Sequence, residues 1–415
     1  MGSLGEEVNN SYLYKHSHDP PYLKVDSAAG LYINLANGQR ILDATGGAAV
    51  SAIGHGNTRV KKAIAAQPDE VEYCHPGFFK TACAEKLADF LVDSTSGKMA
   101  RACILGSGSE AMEAAVKLAR QYFLESDPHS PRYRFIAREG SWHGSTVATL
   151  ALGDFKSRKY PFEPLLADNV SRVSACHPYR GLLGEENVEQ YVARLAQELD
   201  DEFRRVGPET VCGFIVEPMV GTALGCVNAV PGYFQAIETV CERYGALLIF
   251  DEIMCGMGRT GTLHAWEQEG VVPDLQAIEQ DMVANVARMG VYLENLLRNR
   301  LANHPHVGDI RGRGLFWAIE FVADKTTKEP FNAELEVAKR MGGKGLEKGY
   351  DISPFAATGA ADGWNGDHFL LAPPFTVTER DVEEIVEKIC KVIDSVFKDL
   401  DAHLKVGYRA KNGSC

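Results

Sequence analysis

Val211 to Arg259 reads VCGFIVEPMVGTALGCVNAVPGYFQAIETVCERYGALLIFDEIMCGMGR, and this stretch decides the fold. It opens with an apolar run, Cys212 to Val216, that ends at Glu217. A helix follows, with Pro231 at its first turn and Gly245 just past its end, positions these two residues favour. A second apolar run, Ala246 to Phe250, stops at Asp251 and Glu252. Strand, helix and strand in that order predict a parallel crossover. Ligands of such sheets lie outside the carboxyl ends of the strands. Glu217 and Asp251 therefore fall where chemistry is expected.

Upstream, Arg101 to Leu105 predicts a short strand, Gly106-Ser107-Gly108-Ser109 a tight turn, and Glu110 to Phe123 a helix with Met112, Ala115, Val116, Ala119 and Phe123 on one face. Free N–H groups and the positive end of a helix favour a phosphate at such a turn. The turn lacks the third glycine of a dinucleotide fingerprint and the lysine of a P-loop. Tyr133 to Ala137 predicts another strand, which runs into Gly140-Ser141-Trp142-His143-Gly144. Trp142 can stack on a flat ligand; a half-buried tryptophan beside a satisfied histidine is the plainer reading of that pentapeptide alone.

Composition bounds the function. A chain of 415 residues with 45% apolar and 24% charged residues predicts a globular protein of two domains. A net charge of −13 argues against nucleic acid or an anionic membrane as partner. No apolar run is long enough to span a bilayer, and the acidic start MGSLGEEVNN resembles no signal or transit peptide. Ten cysteines without a CxxC pair predict reduced thiols in a cytoplasmic protein, with neither a disulfide framework nor a metal site.

The rest of the chain supplies the frame. Residues 1–45 predict an N-terminal arm with a hairpin turning at Asn37-Gly38. Thr81 to Val92 predicts a helix, and the region from about 160 to 210 reads as helical and polar. A long amphipathic helix is predicted from Ala277 to about Ala302, followed by a strand at Leu315 to Ile319, a helix at Glu334 to Lys348 and a strand at His368 to Ala372. A closing helix runs from Thr378 to Leu400, with Thr378 as its N-cap and Asp381 three residues on. The division this predicts is an arm at 1–45, a large domain at 46–276, a small α+β domain at 277–405 and a tail at 406–415.

A phosphate cradle, a stacking aromatic and a carboxylate at a strand end describe a site for pyridoxal phosphate. The carboxylate keeps the pyridine nitrogen protonated, so that the ring can accept electrons from a substrate carbon. The competing reading of Leu247 to Glu252 is the acidic strand of an ATPase. It requires GxxxxGK[ST], which the chain lacks; Gly342-Gly343-Lys344-Gly345 has the wrong spacing.

In order and spacing these pieces resemble the class III (omega) aminotransferases. The resemblance rests on Gly54-His55-Gly56, Ser107-Gly108-Ser109-Glu110-Ala111, Trp142-His143-Gly144, Glu217-Pro218, Leu248-Ile249-Phe250-Asp251-Glu252, Gly256 to Gly261, Pro273-Asp274-Leu275 and Ala372-Pro373-Pro374-Phe375, and covers nearly the whole chain. It implies an α/β chain with the type I pyridoxal-phosphate transferase fold, a large, mostly parallel sheet domain plus a smaller α+β domain. It also implies a homodimer that moves an amino group between an amine or amino acid and a keto acid. Ser107, Gly108 and Ser109 are then expected at the cofactor phosphate, Trp142 with His143 on one side of the ring, Ile253 on the other, Asp251 at the pyridine nitrogen and Glu217 as a second site carboxylate.

One departure stands against these matches. In that family a Schiff-base lysine follows Pro-Asp-Leu, whereas here Pro273-Asp274-Leu275-Gln276 passes straight into Ala277-Ile278-Glu279-Gln280-Asp281, which resembles the later interdomain helix. No lysine lies between Lys159 and Lys325, so no catalytic residue is identifiable as the Schiff-base lysine. A positioned acid/base of that kind contributes roughly 10²–10⁴-fold to rate. The alternative to an active transaminase is therefore a cofactor-binding pseudoenzyme or regulatory partner, or a spliced form of an active enzyme. Leu370 stands where many relatives place an arginine for a substrate carboxylate, which leaves Arg311, Arg313 or another group for that task.

Overall fold

The computed structural model describes residues 23–278 and 283–412. The first 22 residues of the expected arm and the last three of the expected tail lie outside the described residues. Strands β1 (Val25–Ala29), β2 (Tyr32–Leu35) and β3 (Arg40–Asp43) form an antiparallel meander that turns at Asn37-Gly38 between β2 and β3. Next come β4 (Arg134–Arg138), β5 (Val170–Val173) and β6 (Val211–Val216), then the short ribbon of β7 (Met219–Val220) and β8 (Val227–Asn228). They are followed by β9 (Leu247–Glu252) and β10 (Leu275–Ile278).

The large sheet runs β10-β9-β6-β4-β5, and every neighbouring pair is parallel. Its centre is the predicted crossover: β6 pairs with β9 from Gly213↔Leu247 to Val216↔Phe250, and the helix Tyr233–Tyr244 connects them. Both strands are buried along almost their whole length, which explains their unbroken apolar runs. Pro231 precedes the helix, because Gly232, in the left-handed region, caps it. The helix Val188–Val206 packs beside it, and the two share a core with Phe214, Val216 and Phe250.

The second sheet, β11 (Val307–Arg313), β12 (Phe316–Phe321), β14 (Phe355–Ala357) and β15 (His368–Leu371), is antiparallel in the order β11-β12-β15-β14. It is covered by the helices Val283–Leu301 and Glu379–Asn412, and one apolar core runs through all of them. Strand β13 (Ile352–Ser353) joins β3 in parallel and ties the N-terminal meander to this half. Thr378 caps the closing helix reciprocally: its backbone N–H and hydroxyl both donate to Asp381 Oδ2, and Asp381 N–H donates back to its Oγ1.

Four local expectations are corrected. Arg101–Leu105 is not a strand; it has no ladder partner among the described residues, and Ile104 and Leu105 are exposed. The stretch around 160–210 is not helical throughout, since Val170–Val173 pairs with β4 and completes the large sheet. Ala277 does not open the long helix. It pairs with Asp251 as part of β10, and the described helix begins at Val283. The helix expected over Glu334–Lys348 is a 3₁₀ turn, Ala333–Leu335, followed by Val337–Leu346.

Candidate active site

Three segments meet beyond the carboxyl ends of β4, β6 and β9. Asp251 is buried near the end of β9; its Oδ2 lies 2.8 Å from His143 Nδ1, and its Oδ1 accepts from Ile253 N–H at 3.2 Å. The imidazole is 1% exposed, yet its Nε2 has no hydrogen-bond partner. An orphaned buried nitrogen carries a desolvation cost unless a ligand completes the site.

Glu217, just past β6, accepts from Trp142 N–H at 3.1 Å through Oε1 and from Gly221 N–H at 3.0 Å through Oε2. Burial pushes its pKa up to about 7; His143 opposes this, Asp251 adds to it, and the two amide donors oppose it. Glu217 therefore positions the backbone of Trp142 and is a proton-holding group poised near neutrality. Trp142 is half-buried and meets Phe155 edge to face, with centroids 6.0 Å apart at 87°.

The glycine turn closes the third side. Helix Gly108–Ser126 is capped by Ser107, whose Oγ accepts from Glu110 N–H at 3.2 Å. Ser109 Oγ accepts from Ser145 N–H at 3.1 Å, which joins the turn to the Trp142-His143 loop. Glycine is required at two contacts. A Cβ on Gly108 would stand 2.7 Å from Ile253 Cγ2. A Cβ on Gly144, whose φ is +133°, would stand 2.5 Å from Thr149 Oγ1 and 2.7 Å from Ser109 Oγ. The structure thus brings Ser107, Gly108, Ser109, Trp142, His143, Glu217, Asp251 and Ile253 together in one cluster.

These residues fit pyridoxal phosphate. The turn offers helix N-terminal N–H groups for a phosphate, Trp142 a flat face for a ring, and Asp251 a buried carboxylate for a pyridinium nitrogen. Glu252 serves a different purpose. It is fully buried and accepts from Ala265 N–H, Trp266 N–H and Gln276 Nε2, each at 2.8 Å. The Asp-Glu pair is therefore one carboxylate paired with His143 and one structural carboxylate, which removes the basis for reading it as a magnesium-holding strand end.

Neither arginine expected as a candidate for a substrate carboxylate is free. Arg311 pairs with Glu320 Oε2 at 2.6 Å and Asp309 Oδ2 at 2.9 Å, and donates to the carbonyls of Leu224 and Gly225. Arg313 pairs with Glu269 at 2.7 Å. Leu370 is buried in β15 against Phe316 and Ala318. Lys159 lies behind Trp142, with its Nζ on the carbonyls of Ala151 and Gly153; burial, reinforced by Arg172, lowers its pKa to about 8. The sequence reading assigns nothing to Phe155 and Arg158, which reach Trp142 from the stretch between the Trp142-His143-Gly144 turn and residue 160.

The fold and the cleft together define a pyridoxal-phosphate-dependent transferase of the type I fold. The class-III aminotransferase family matches residues 13–280, and the chain belongs to that family. An aminotransferase of Gibberella zeae is 41% identical, over 92% of this chain and 86% of the relative. An uncharacterised aminotransferase of Schizosaccharomyces pombe is 40% identical, over 95% and 97%. The omega transaminase of Pseudomonas jessenii in complex with PMP superposes with a TM-score of 0.85 at 25% identity, covering 96% of this chain and 99% of that one. The two fungal alignments run over 439 and 450 residues, longer than the 415 residues of this chain, so each relative carries residues that have no counterpart here. By family and fold this is a pyridoxal-phosphate-dependent aminotransferase.

Proposed function

We propose that the cleft over Asp251 holds pyridoxal phosphate without a covalent lysine, and that the chain acts on a small amine or amino acid donor and a keto acid acceptor. The observation that carries this reading is the buried Asp251–His143 pair at 2.8 Å, presented between Trp142 and the Ser107–Ser109 turn. When bound, the cofactor supplies an electron sink for the substrate carbon. Asp251 holds the pyridine nitrogen in its protonated form, and His143 orients that carboxylate. Ser107, Gly108 and Ser109 bind the phosphate, Trp142 and Ile253 cover the two ring faces, and Glu217 fixes the backbone of Trp142.

A specific observation favours the second reading, a cofactor-binding relative of reduced catalytic power. No lysine lies between Lys159 and Lys325, the junction at Gln276–Ala277 falls inside β10, and the alignments with the two fungal relatives are longer than this chain. We assign the missing segment to that junction. Its loss accounts for the exposed, unpaired Arg101–Leu105 run beside the sheet.

A homodimer fits the surface. The helices Thr58–Glu70 and Ala82–Ser94 bury none of their residues, and Tyr73, Phe78, Phe79 and Phe90 are exposed around them. Unpaired cysteines among the described residues fit a cytoplasmic protein, and no described helix is long and apolar enough to cross a membrane. The reading is tested by loading the purified chain with pyridoxal phosphate and dialysing exhaustively. Retention of about one cofactor per chain, read from its near-ultraviolet absorbance, is the expected result; a protein stripped bare by dialysis contradicts it.

A further inference from the structure

Arg158 stands beside Trp142 with its guanidinium free of any acid among the described residues. Its guanidinium carbon lies 5.0 Å from the ring centroid of Trp142 and 5.0 Å from that of Phe155, in the corner where the two rings meet edge to face. No ion pair with a described carboxylate is formed. The neighbouring cations are turned elsewhere: Lys156 Nζ donates to Asp362 O at 2.8 Å, and Lys159 is held on the carbonyls of Ala151 and Gly153. Arg259 is bonded to the carbonyls of Ala49, Leu315 and Pro373, and Arg138 to that of Glu217. The side chain of Arg158 is exposed as a whole, but its charged end is crowded enough that desolvation lowers its pKa, with no acid opposing.

We propose that Arg158 is the carboxylate-binding residue of the site: it holds the carboxylate of the amino acid donor or keto acid while that substrate is bound at the edge of Trp142. The inference rests on the reading of the Trp142–Asp251 cleft as the cofactor site. A guanidinium stacked on aromatic faces keeps its planar fork of donors free at the edge, and that fork matches a carboxylate bidentately. The crowding strengthens the contact, because a partly desolvated cation gains more from an incoming anion than a hydrated one does.

The test compares two stable ligands, phosphopyridoxyl-alanine and phosphopyridoxyl-ethylamine, which differ only in the carboxylate. Their binding to the full chain is measured by titration calorimetry. The wild type is expected to prefer the alanine adduct by roughly 10–100-fold, as a charge-assisted hydrogen bond provides. Arg158→Ala should abolish the preference by weakening the alanine adduct alone, and Arg158→Lys should restore part of it. Equal affinities in the wild type, a preference that survives Arg158→Ala, or an equal loss for both adducts would overturn the assignment. If neither adduct binds the wild type, the cofactor-site reading itself fails, and the carboxylate site fails with it.

Discussion

Asp251→Ala is expected to leave a folded chain that loses pyridoxal phosphate on dialysis under conditions where the wild type keeps it. In the proposed reading Asp251 holds a proton on the pyridine nitrogen, and it is buried in the folded chain. The substitution also leaves both ring nitrogens of His143 unpartnered, since Nε2 is already an orphan. A buried donor or acceptor without a partner costs about 1–3 kcal/mol, so a modest fall in melting temperature accompanies the loss of cofactor. Glu217 reports the change independently. Asp251 is one of the groups that raise its pKa, so removing that charge lets the Glu217 pKa fall from about 7. Asp251→Asn separates shape from charge: it should preserve the stability better than Asp251→Ala and still weaken cofactor retention. Unchanged retention in both variants contradicts the role given to this carboxylate.

Arg311→Ala is expected to produce the largest loss of stability of any single change considered, roughly 3–5 kcal/mol, because it breaks a buried charge network and leaves Glu320 with Arg180 as its remaining partner. Glu320 is fully buried and is shared between Arg311 and Arg180, while Arg311 also reaches Asp309 and two carbonyls of the loop after β7. The network ties the second sheet to the rest of the molecule, since Arg311 and Glu320 lie on β11 and β12 while Arg180 lies on the segment after β5 and Leu224 and Gly225 on the loop between β7 and β8.

Burial alone would raise the pKa of Glu320, but Arg311 and Arg180 overcome it and hold it at about 2. With the folded value below the unfolded one, the stability from this group is present above about pH 4.5 and is lost as the pH falls towards 2. Glu217 and Glu252 have the opposite sign. Burial raises both to about 7, so their contribution is complete below about pH 4.5 and is lost as the pH rises through 7. Urea unfolding of the cofactor-free protein should therefore give a stability maximum on the acidic side of neutrality. In Arg311→Ala the acid limb should shrink, because the folded pKa of Glu320 moves back towards its unfolded value; an unchanged acid limb contradicts the network as drawn.

Much of this architecture was legible because the informative signals were local. The run from Cys212 to Phe250 carries two buried strands and a helix, and its turn residues sit at the boundaries. The candidate site residues Trp142, His143, Glu217, Asp251 and Ile253 stand at strand ends or in the turns beyond them, where the pattern changes from apolar to polar, and Ser107 to Ser109 stand at the start of a helix. What was not legible depended on distant partners. Val170–Val173 is too short and too polar to announce a strand, and only the edge of β4 makes it one. Arg101–Leu105 has a strand composition but no described neighbour to pair with. Ala277 looked helical from the residues after it, while its register with Asp251 keeps it in the sheet. Arg311 looked available because Glu320 and the carbonyls that occupy it lie on other segments; Arg158 looked like one basic residue among several until Trp142 and Phe155 were seen to flank it.

The central claim is that this transaminase fold keeps its cofactor cleft and lacks a lysine to bond the cofactor. The most direct test is to load the protein with pyridoxal phosphate, reduce it with borohydride and map the peptides by mass. The expected result is a cofactor retained through dialysis, with no lysine carrying a phosphopyridoxyl group. A stoichiometric adduct on one lysine, Lys159 being the first to inspect, would contradict the claim and restore covalent chemistry to the site.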